Sequence, residues 1–117
     1  MKAKILLIEG KHPDHPSFGA GLVKKGYDVD TAPKGNVALE RLVEIDPDLV
    51  VIDAPSLRTS GKRICQALRK EVDTLPILLI VDGEHAESNH VSADVVLPLP
   101  FTIQKLVNRV KPLLPAE

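Results

Sequence analysis

The chain lacks the features of a disulfide-bonded, membrane-spanning or nucleic-acid-binding protein. Cys65 is its single cysteine, so no disulfide can form within it. The first apolar run, Ile5–Ile8, is far too short for a signal peptide or a membrane span. Lys and Arg number 15 against 16 Asp and Glu, a balance that gives no electrostatic support to a nucleic-acid or anionic-lipid partner. We therefore expect a cytoplasmic protein that binds neither nucleic acid nor membrane.

Aromatic residues are also scarce. Phe18, Tyr27 and Phe101 are present and tryptophan is absent, so the core must be aliphatic. The chain has 117 residues, of which 44% are hydrophobic and 26% are charged, and this composition is typical of a globular protein. The length supports one domain with a hydrophobic core and not two. We predict a single domain over residues 1–117.

Short apolar runs alternate with helical patterns along the whole chain. Strands are predicted at Ile5–Ile8, Tyr27–Thr31, Leu49–Ile52, Pro76–Val81 and Asp94–Leu97. Helices are predicted before Gly26, through Ala38, Leu42 and Ile45, over Gly61–Lys70, and through Ile103, Leu106, Val107, Val110 and Leu114. Middle strands that are apolar throughout are typical of a parallel sheet with helices on both faces. Right-handed connections then give a doubly wound α/β fold.

Asp53 directly follows the central apolar run. The carboxyl end of a central parallel strand is where open α/β sheets bind their ligands. Glu9, Asp82 and the loop 98–100 follow other predicted strands and are expected at the same edge of the sheet. We call this edge, the carboxyl ends of the strands with the loops that follow them, the rim. Asp53 is therefore the leading candidate for a functional residue.

Several motifs occur together at consistent spacing. They are ILLIE at 5–9, PDLVVID at 47–53, Gly61 after Asp53, PILLIV at 76–81, and Ala93–Asp94 followed by Pro100–Phe101. These motifs resemble those of two-component response-regulator receiver domains, the CheY-like superfamily. The resemblance implies a flavodoxin-like five-stranded parallel sheet in the order 2-1-3-4-5. It also implies a phosphoacceptor at Asp53 and a cis peptide bond between Leu99 and Pro100.

The sequence departs from the family where receivers hold the phosphoryl group and its metal. Receivers carry two acids after the first strand, whereas this chain has Glu9–Gly10, which leaves Glu9 and Asp53 as a weakened Mg²⁺ site. The usual phosphate-binding Thr or Ser is Val81, and the usual lysine is Leu99. Phosphoryl transfer depends on positioning and on stabilisation by cations, and each missing charge-assisted partner costs roughly 1.5–3 kcal/mol. We expect the phosphorylation switch to be largely disabled.

Two further departures affect the side of the last strand. The aromatic residue that turns inward when receivers are activated is Val96 here. The segment between Val81 and Ala93 is several residues shorter than in typical receivers, which shortens the family's fourth helix. Together with Leu97 and Leu99, these changes predict an apolar contact surface, and a homodimer could form through the fourth helix, the last strand and the last helix.

Two interpretations of function follow and both stay open. In the first, the chain is a stand-alone atypical receiver, or pseudo-receiver. It is not an enzyme, requires no cofactor, and signals by contact with a histidine kinase, an output protein or a scaffold protein. In the second, it is a genuine phosphorelay regulator that is phosphorylated on Asp53 with the help of Glu9 and a divalent cation.

Four histidines in rim loops allow a third interpretation. They are His12 and His15 after the first strand, and His85 and His90 after the fourth. Imidazoles close to carboxylates can bind zinc or another transition metal, which would make the chain a metal or small-ligand sensor. The alternative is that these loop histidines are solvated and bind nothing.

Other kinds of site receive no support. Cys65 lies at helical spacing from Leu68, which predicts a cysteine in the core and not a redox thiol. The chain has no glycine-rich dinucleotide-binding fingerprint.

Overall fold

The computed structural model describes residues 2–11, 15–83 and 92–115. Its strands are β1 (Lys4–Ile8), β2 (Asp28–Ala32), β3 (Leu49–Asp53), β4 (Ile77–Val81) and β5 (Val95–Pro98). Its α-helices are α1 (Phe18–Lys24), α2 (Gly35–Ile45), α3 (Gly61–Glu71) and α4 (Ile103–Val110), with short 3₁₀ helices at Ala54–Ser56 and Lys111–Leu113. The strands form one parallel sheet in the order β2-β1-β3-β4-β5. The predicted flavodoxin-like fold and its strand order are confirmed.

The boundaries differ from the sequence expectations mainly at the C-terminal end. The α-helical part of the last helix ends at Val110, and the chain continues as a 3₁₀ turn because Pro112 has no backbone N–H to donate. The expected shortened fourth helix falls largely on residues 84–91, which lie outside the described residues. Within the described ranges, no helix combines the length and the apolar character needed to cross a bilayer.

Both faces of the sheet are covered, which explains why the central strands are apolar throughout. Leu7 and Val51 pack on one face with residues of α1 and α4. Leu6 and Val50, their chain neighbours, point to the opposite face and pack with α2 and α3. All four side chains are fully buried. The alternation of strand side chains thus divides one continuous apolar run between two cores.

Local signals set the ends of several helices. Ser17, Ser60 and Thr102 each accept a hydrogen bond from a backbone N–H in the first turn of the helix that follows, a cap worth about 1 kcal/mol each. Helix α1 ends before Gly26, whose φ of 98° is a conformation that favours glycine. These caps define where the loops of the rim begin and end.

The sheet register places the rim residues side by side. Ile8 of β1 pairs with Ile52 of β3, so the next residues, Glu9 and Asp53, lie next to each other at the carboxyl ends of these strands. Asp53 pairs with Ile80 of β4, and this puts Val81 beside it on the other side. The parallel arrangement of β1, β3 and β4 therefore gathers residues that are far apart in sequence.

Candidate functional site

The carboxylate of Asp53 is buried at the end of β3. Asp53 has 0% of its surface exposed, and among the described residues it is the one charged residue that is buried. An ionised carboxylate is expensive to bury unless a cation or several hydrogen bonds compensate it. The surroundings of Asp53 therefore decide what this site can do.

His15 closes the site above Asp53. Its Nε2 lies 2.7 Å from Oδ2 of Asp53, and the His15 side chain is 20% exposed. Its Nδ1 lies 2.8 Å from the carbonyl oxygen of Pro16, and its ring stacks on Phe18 with 4.2 Å between centroids. Phe18 in turn stacks on Phe101 at 5.0 Å. Two of the three aromatic residues of the chain thus hold one imidazole in place.

The contact between His15 and Asp53 is close but not well aligned. Among the described residues, His15 Nε2 and the two carboxylate oxygens of Asp53 make no hydrogen bond with acceptable geometry. When Nδ1 donates its hydrogen to Pro16, a neutral imidazole presents the lone pair of Nε2 to the carboxylate. Such a pair is stable only with a proton or another cation on Nε2.

The two residues shift each other's protonation. Burial raises the pKa of Asp53, and although the charge of the nearby His15 imidazole lowers it, the net pKa lies above its usual 3.8. Burial lowers the pKa of His15, but the Pro16 carbonyl and the charge of Asp53 outweigh this effect, so the net pKa lies above 6.5. The site therefore retains a proton more readily than free side chains would.

Glu9 completes an acidic cluster with these two residues. One of its carboxylate oxygens accepts a hydrogen bond from the backbone N–H of Phe18 at 3.2 Å, which fixes it at the start of α1. Glu9, His15 and Asp53 each offer one ligand atom, and these atoms lie within 4.8 Å of one another. Of the predicted metal-binding residues, the structure thus brings together Glu9, Asp53 and His15.

The loop after β3 contacts the loop after β1 through Ser56. The Ser56 hydroxyl donates to the backbone carbonyl of Asp53 at 2.7 Å and accepts from the backbone N–H of Gly10 at 2.9 Å. A Cβ at position 10 would collide with the carbonyl oxygen of Ser56. Ser56 is not among the residues predicted from the sequence; its position three residues after Asp53, in a loop at the rim, was the available signal.

A cleft of about 310 Å³ opens beside the site. Its lining includes His15, Ser56, Asp82 and Leu99. Of the acidic cluster, His15 lines this cleft, and its side chain is 20% exposed. His12, Asp14, His85 and His90, which the sequence places in rim loops, lie outside the described residues.

Comparisons with known proteins agree with this architecture. No protein-family model matches the chain. The chain is 32% identical over 97% of its length to response regulator MprA of Mycolicibacterium vanbaalenii and to MprA of Mycobacterium ulcerans, and it spans about half (51%) of those relatives. The crystal structure of response regulator TrrA from Thermotoga maritima with Mg²⁺-BeF superimposes with a TM-score of 0.84 at 27% identity, covering 97% of this chain and 100% of TrrA. The chain is a response-regulator receiver domain.

The likeness extends to chemotaxis response regulators at the level of the fold. CheY4 of Vibrio cholerae matches this receiver with a TM-score of 0.79 at 23% identity, covering 97% of the receiver and all of CheY4. An identity this low supports the shared fold alone. The receiver domain predicted from the motifs is thus confirmed by relatives in sequence and by neighbours in structure.

The receiver has apolar side chains where the family pattern has polar or aromatic ones. Val81, 2% exposed, ends β4 next to Asp53, and its carbonyl accepts from the backbone N–H of Leu99 at 2.9 Å. Leu99 packs against the core formed with α1 and α4, and Val96 against the core formed with α2 and α3. The Leu99–Pro100 peptide bond is cis. No ammonium group takes the place of the usual lysine at position 99.

The residues of this receiver fit Mg²⁺ poorly. Mg²⁺ requires near-octahedral coordination by oxygen ligands. Gly10 supplies no carboxylate, and the Ser56 carbonyl blocks the room for one. The imidazole nitrogen of His15 lies 2.7 Å from Oδ2 of Asp53, which occupies one of the two carboxylate oxygens available to an ion. The donor set that the structure presents contains one nitrogen and two carboxylates, and it differs from the set that Mg²⁺ prefers.

The remaining sequence predictions concern residues away from the rim. Cys65 is buried in the core, as predicted, and burial raises the pKa of its thiol to about 11. The large apolar side chains with the greatest exposure in the described part of the chain are Val23, Val43 and Val72, on or next to α1, α2 and α3. These residues do not belong to the β5 side, where the sequence predicts an apolar contact surface.

Proposed function

We propose that this receiver works in two-component signalling mainly by protein–protein contact, with its conformation set by partners and not by a phosphoryl group on Asp53. In this proposal it is a cytoplasmic pseudo-receiver that is not itself an enzyme and requires no cofactor for signalling. The observation that carries the proposal is the closure of Asp53 by His15, at 2.7 Å and with no exposed surface on the aspartate.

His15 limits the access of a phosphoryl donor to the carboxylate of Asp53. A phosphoryl donor must approach a carboxylate oxygen of Asp53 in line with the bond that breaks. The imidazole of His15 covers Oδ2, and the stack on Phe18 together with the Pro16 carbonyl holds that imidazole. Phosphorylation would therefore require His15 to leave its contacts first.

In its described part, the rim also lacks the positive charge that would stabilise a phosphoryl group on Asp53. A phosphoryl group on Asp53 would bring close to two negative charges into the rim. Val81 offers no hydroxyl and Leu99 no ammonium, so two charge-assisted partners worth roughly 1.5–3 kcal/mol each are missing. His15 is a cation only while it is protonated, and Gly10 supplies no further metal ligand. The adduct would be poorly stabilised.

The proposed partners follow from the family. TrrA, which is 28% identical over 98% of this chain with a TM-score of 0.82, has been solved in complex with the histidine kinase ThkA. We propose a partner of the same general class here, a histidine kinase, or an output or scaffold protein. A homodimer through the side formed by β5 and α4 also stays a prediction.

Intact-mass spectrometry after incubation with phosphoramidate and Mg²⁺ tests the proposal. We expect at most a trace of phosphorylated protein under conditions that label an active receiver fully. The Asp53→Asn variant is the control for the site of any adduct. The double substitution Val81→Thr and Leu99→Lys should raise the labelled fraction, and adding His15→Ala should raise it further. Stoichiometric labelling of the unmodified protein on Asp53 would refute the proposal.

A genuine phosphorelay regulator is the second candidate. It is favoured by the retention of Asp53 beside Glu9 and by relatives that are named response regulators. The same labelling experiment decides between the two, because stable phosphorylation of Asp53 would establish the phosphorelay function. The two candidates share the fold and differ only in whether the rim accepts a phosphoryl group.

A further inference from the structure

We propose that Glu9, His15 and Asp53 bind a divalent transition-metal ion of the Zn²⁺ class at the rim. The ligands are one imidazole nitrogen and two carboxylates, and their donor atoms lie within 4.8 Å of one another. This site differs from the oxygen-only Mg²⁺ site of an active receiver, because His15 contributes a nitrogen ligand and Gly10 has no carboxylate to contribute. Metal binding here is independent of whether the domain signals with or without phosphorylation.

The imidazole has the arrangement of a metal ligand. In metal sites, a ligating histidine typically donates its other ring N–H to a carbonyl or carboxylate, which fixes the tautomer. His15 Nδ1 lies 2.8 Å from the Pro16 carbonyl, and when it donates its hydrogen there, Nε2 of the neutral ring carries the lone pair that faces the cluster. The stack on Phe18 restricts the rotation of the ring. The nitrogen is therefore oriented in advance toward a cation.

Without a proton or another cation on His15 Nε2, the buried carboxylate of Asp53 has no compensating charge. It is fully buried, and neither of its oxygens has an aligned hydrogen-bond partner in the described part of the chain. A lone pair on Nε2 placed 2.7 Å from such an oxygen is repulsive without a cation. A divalent ion bound to both atoms, and to the carboxylate of Glu9, removes the repulsion and compensates the charge.

The metal requires small adjustments of the cluster. Ligand atoms around a tetrahedral Zn²⁺ lie about 3.3 Å apart, given Zn–N and Zn–O distances near 2 Å. His15 and Asp53 must therefore separate by roughly half an ångström, while Glu9 moves closer. The cleft of about 310 Å³ that His15 and Asp82 line provides an entry route and room for a water as the fourth ligand.

The donor set determines which ions bind. Imidazole nitrogen favours Zn²⁺, Co²⁺, Ni²⁺ and Cu²⁺, while Mg²⁺ prefers oxygen ligands in octahedral geometry and gives up its waters reluctantly. With one nitrogen and two carboxylates, the cluster should bind Zn²⁺ more tightly than Mg²⁺.

Calorimetric titration of the untagged, chelator-treated protein with Zn²⁺ and with Mg²⁺ tests the site. Co²⁺ serves as a spectroscopic probe, since a site with few ligands gives intense visible absorption that hexaaquo Co²⁺ lacks. His15→Ala and Glu9→Gln are the test variants, and Asp53→Asn keeps the shape of the buried side chain. Asp28→Asn, an exposed acid of β2, is the carboxylate control, and His85→Ala is the histidine control.

We expect one Zn²⁺ per chain and a Co²⁺ spectrum typical of low coordination. His15→Ala and Asp53→Asn should each weaken Zn²⁺ binding at least about 100-fold, since loss of a mere outer-shell partner already costs 10–100-fold. Asp28→Asn and His85→Ala should bind like the unmodified protein. Unchanged binding in His15→Ala, an equal loss in His85→Ala, or Mg²⁺ affinity equal to that for Zn²⁺ would overturn the proposal. Circular dichroism of each variant checks that it is folded.

Discussion

Gly10 and Ser56 approach each other so closely that no side chain fits at position 10. The backbone N–H of Gly10 donates to the Ser56 hydroxyl at 2.9 Å, and a Cβ on Gly10 would collide with the Ser56 carbonyl. The same hydroxyl donates to the carbonyl of Asp53. The backbone of the loop after β3 therefore leaves no room for the second acid of the receiver pattern at position 10. Substituting Gly10 alone does not restore that acid as a metal ligand.

Restoring the acid should therefore damage the domain. We expect Gly10→Asp to lower the free energy of unfolding by about 1–3 kcal/mol, the usual cost of overpacking, without a gain in Mg²⁺ affinity. Urea denaturation and calorimetric Mg²⁺ titration measure the two effects. Gly19→Ala is the matched control, because its Cβ would meet its nearest neighbours at 3.3 Å or more. A stable Gly10→Asp variant that binds Mg²⁺ tightly would contradict this view of the loop.

The imidazole of His15 should titrate above its usual range in metal-free protein. Burial lowers its pKa, but the Pro16 carbonyl and the nearby charge of Asp53 raise it further, so the net pKa lies above 6.5. NMR titration of the ring protons in the presence of a chelator measures it. In Asp53→Asn the negative charge is gone, and the His15 pKa should fall. If the pKa were the same in the two proteins, the ion pair would not exist in solution.

The same shift predicts how stability depends on pH. A raised His15 pKa means that the folded protein binds the proton more tightly than the unfolded chain does. This contribution to the free energy of unfolding is fully present below pH 6.5 and is lost as the pH rises through the folded pKa. Urea denaturation from pH 5 to pH 9 should show the decline, and His15→Gln should flatten it. An equally steep decline in His15→Gln would assign the effect to other groups.

Asp53→Asn should stabilise the metal-free domain at alkaline pH. Burial raises the pKa of Asp53, so its ionised form destabilises the folded state above that pKa. An amide of similar shape avoids burying the ionised carboxylate, for a gain of about 1 kcal/mol or more. Thermal and urea unfolding at pH 8 measure this gain. A less stable Asp53→Asn would show that the carboxylate is well compensated in the native protein.

The thiol of Cys65 should be unreactive in the folded domain. It is buried in the core, and burial raises its pKa to about 11, so very little thiolate is present at neutral pH. Ellman's reagent should react slowly with native protein at pH 7.5 and rapidly in 6 M guanidinium chloride, which is the control. Rapid reaction of the native protein would show that the core around α3 opens easily.

Much of the fold could be predicted from sequence because its causes are local. The apolar runs of β3 and β4, the proline after Asp46 and the glycine at position 26 each act within a few residues. The strand order and the choice of Asp53 as the candidate phosphoacceptor follow from motifs with consistent spacing. The apolar character of Val81, Val96 and Leu99 was visible in the sequence, since the residue type alone decides whether a side chain carries a polar group.

The order of residues along the chain is enough to show which ones follow each strand, and so that Glu9, Asp53 and the rim histidines can lie at one edge of the sheet. That His15 is the histidine in contact with Asp53, at 2.7 Å, is visible only in the folded chain. That contact depends on two stacked phenylalanines, Phe18 and Phe101, which come from opposite ends of the chain. The physical reason is that the position of a loop side chain is set by packing between distant segments, and no local pattern of residues records such packing.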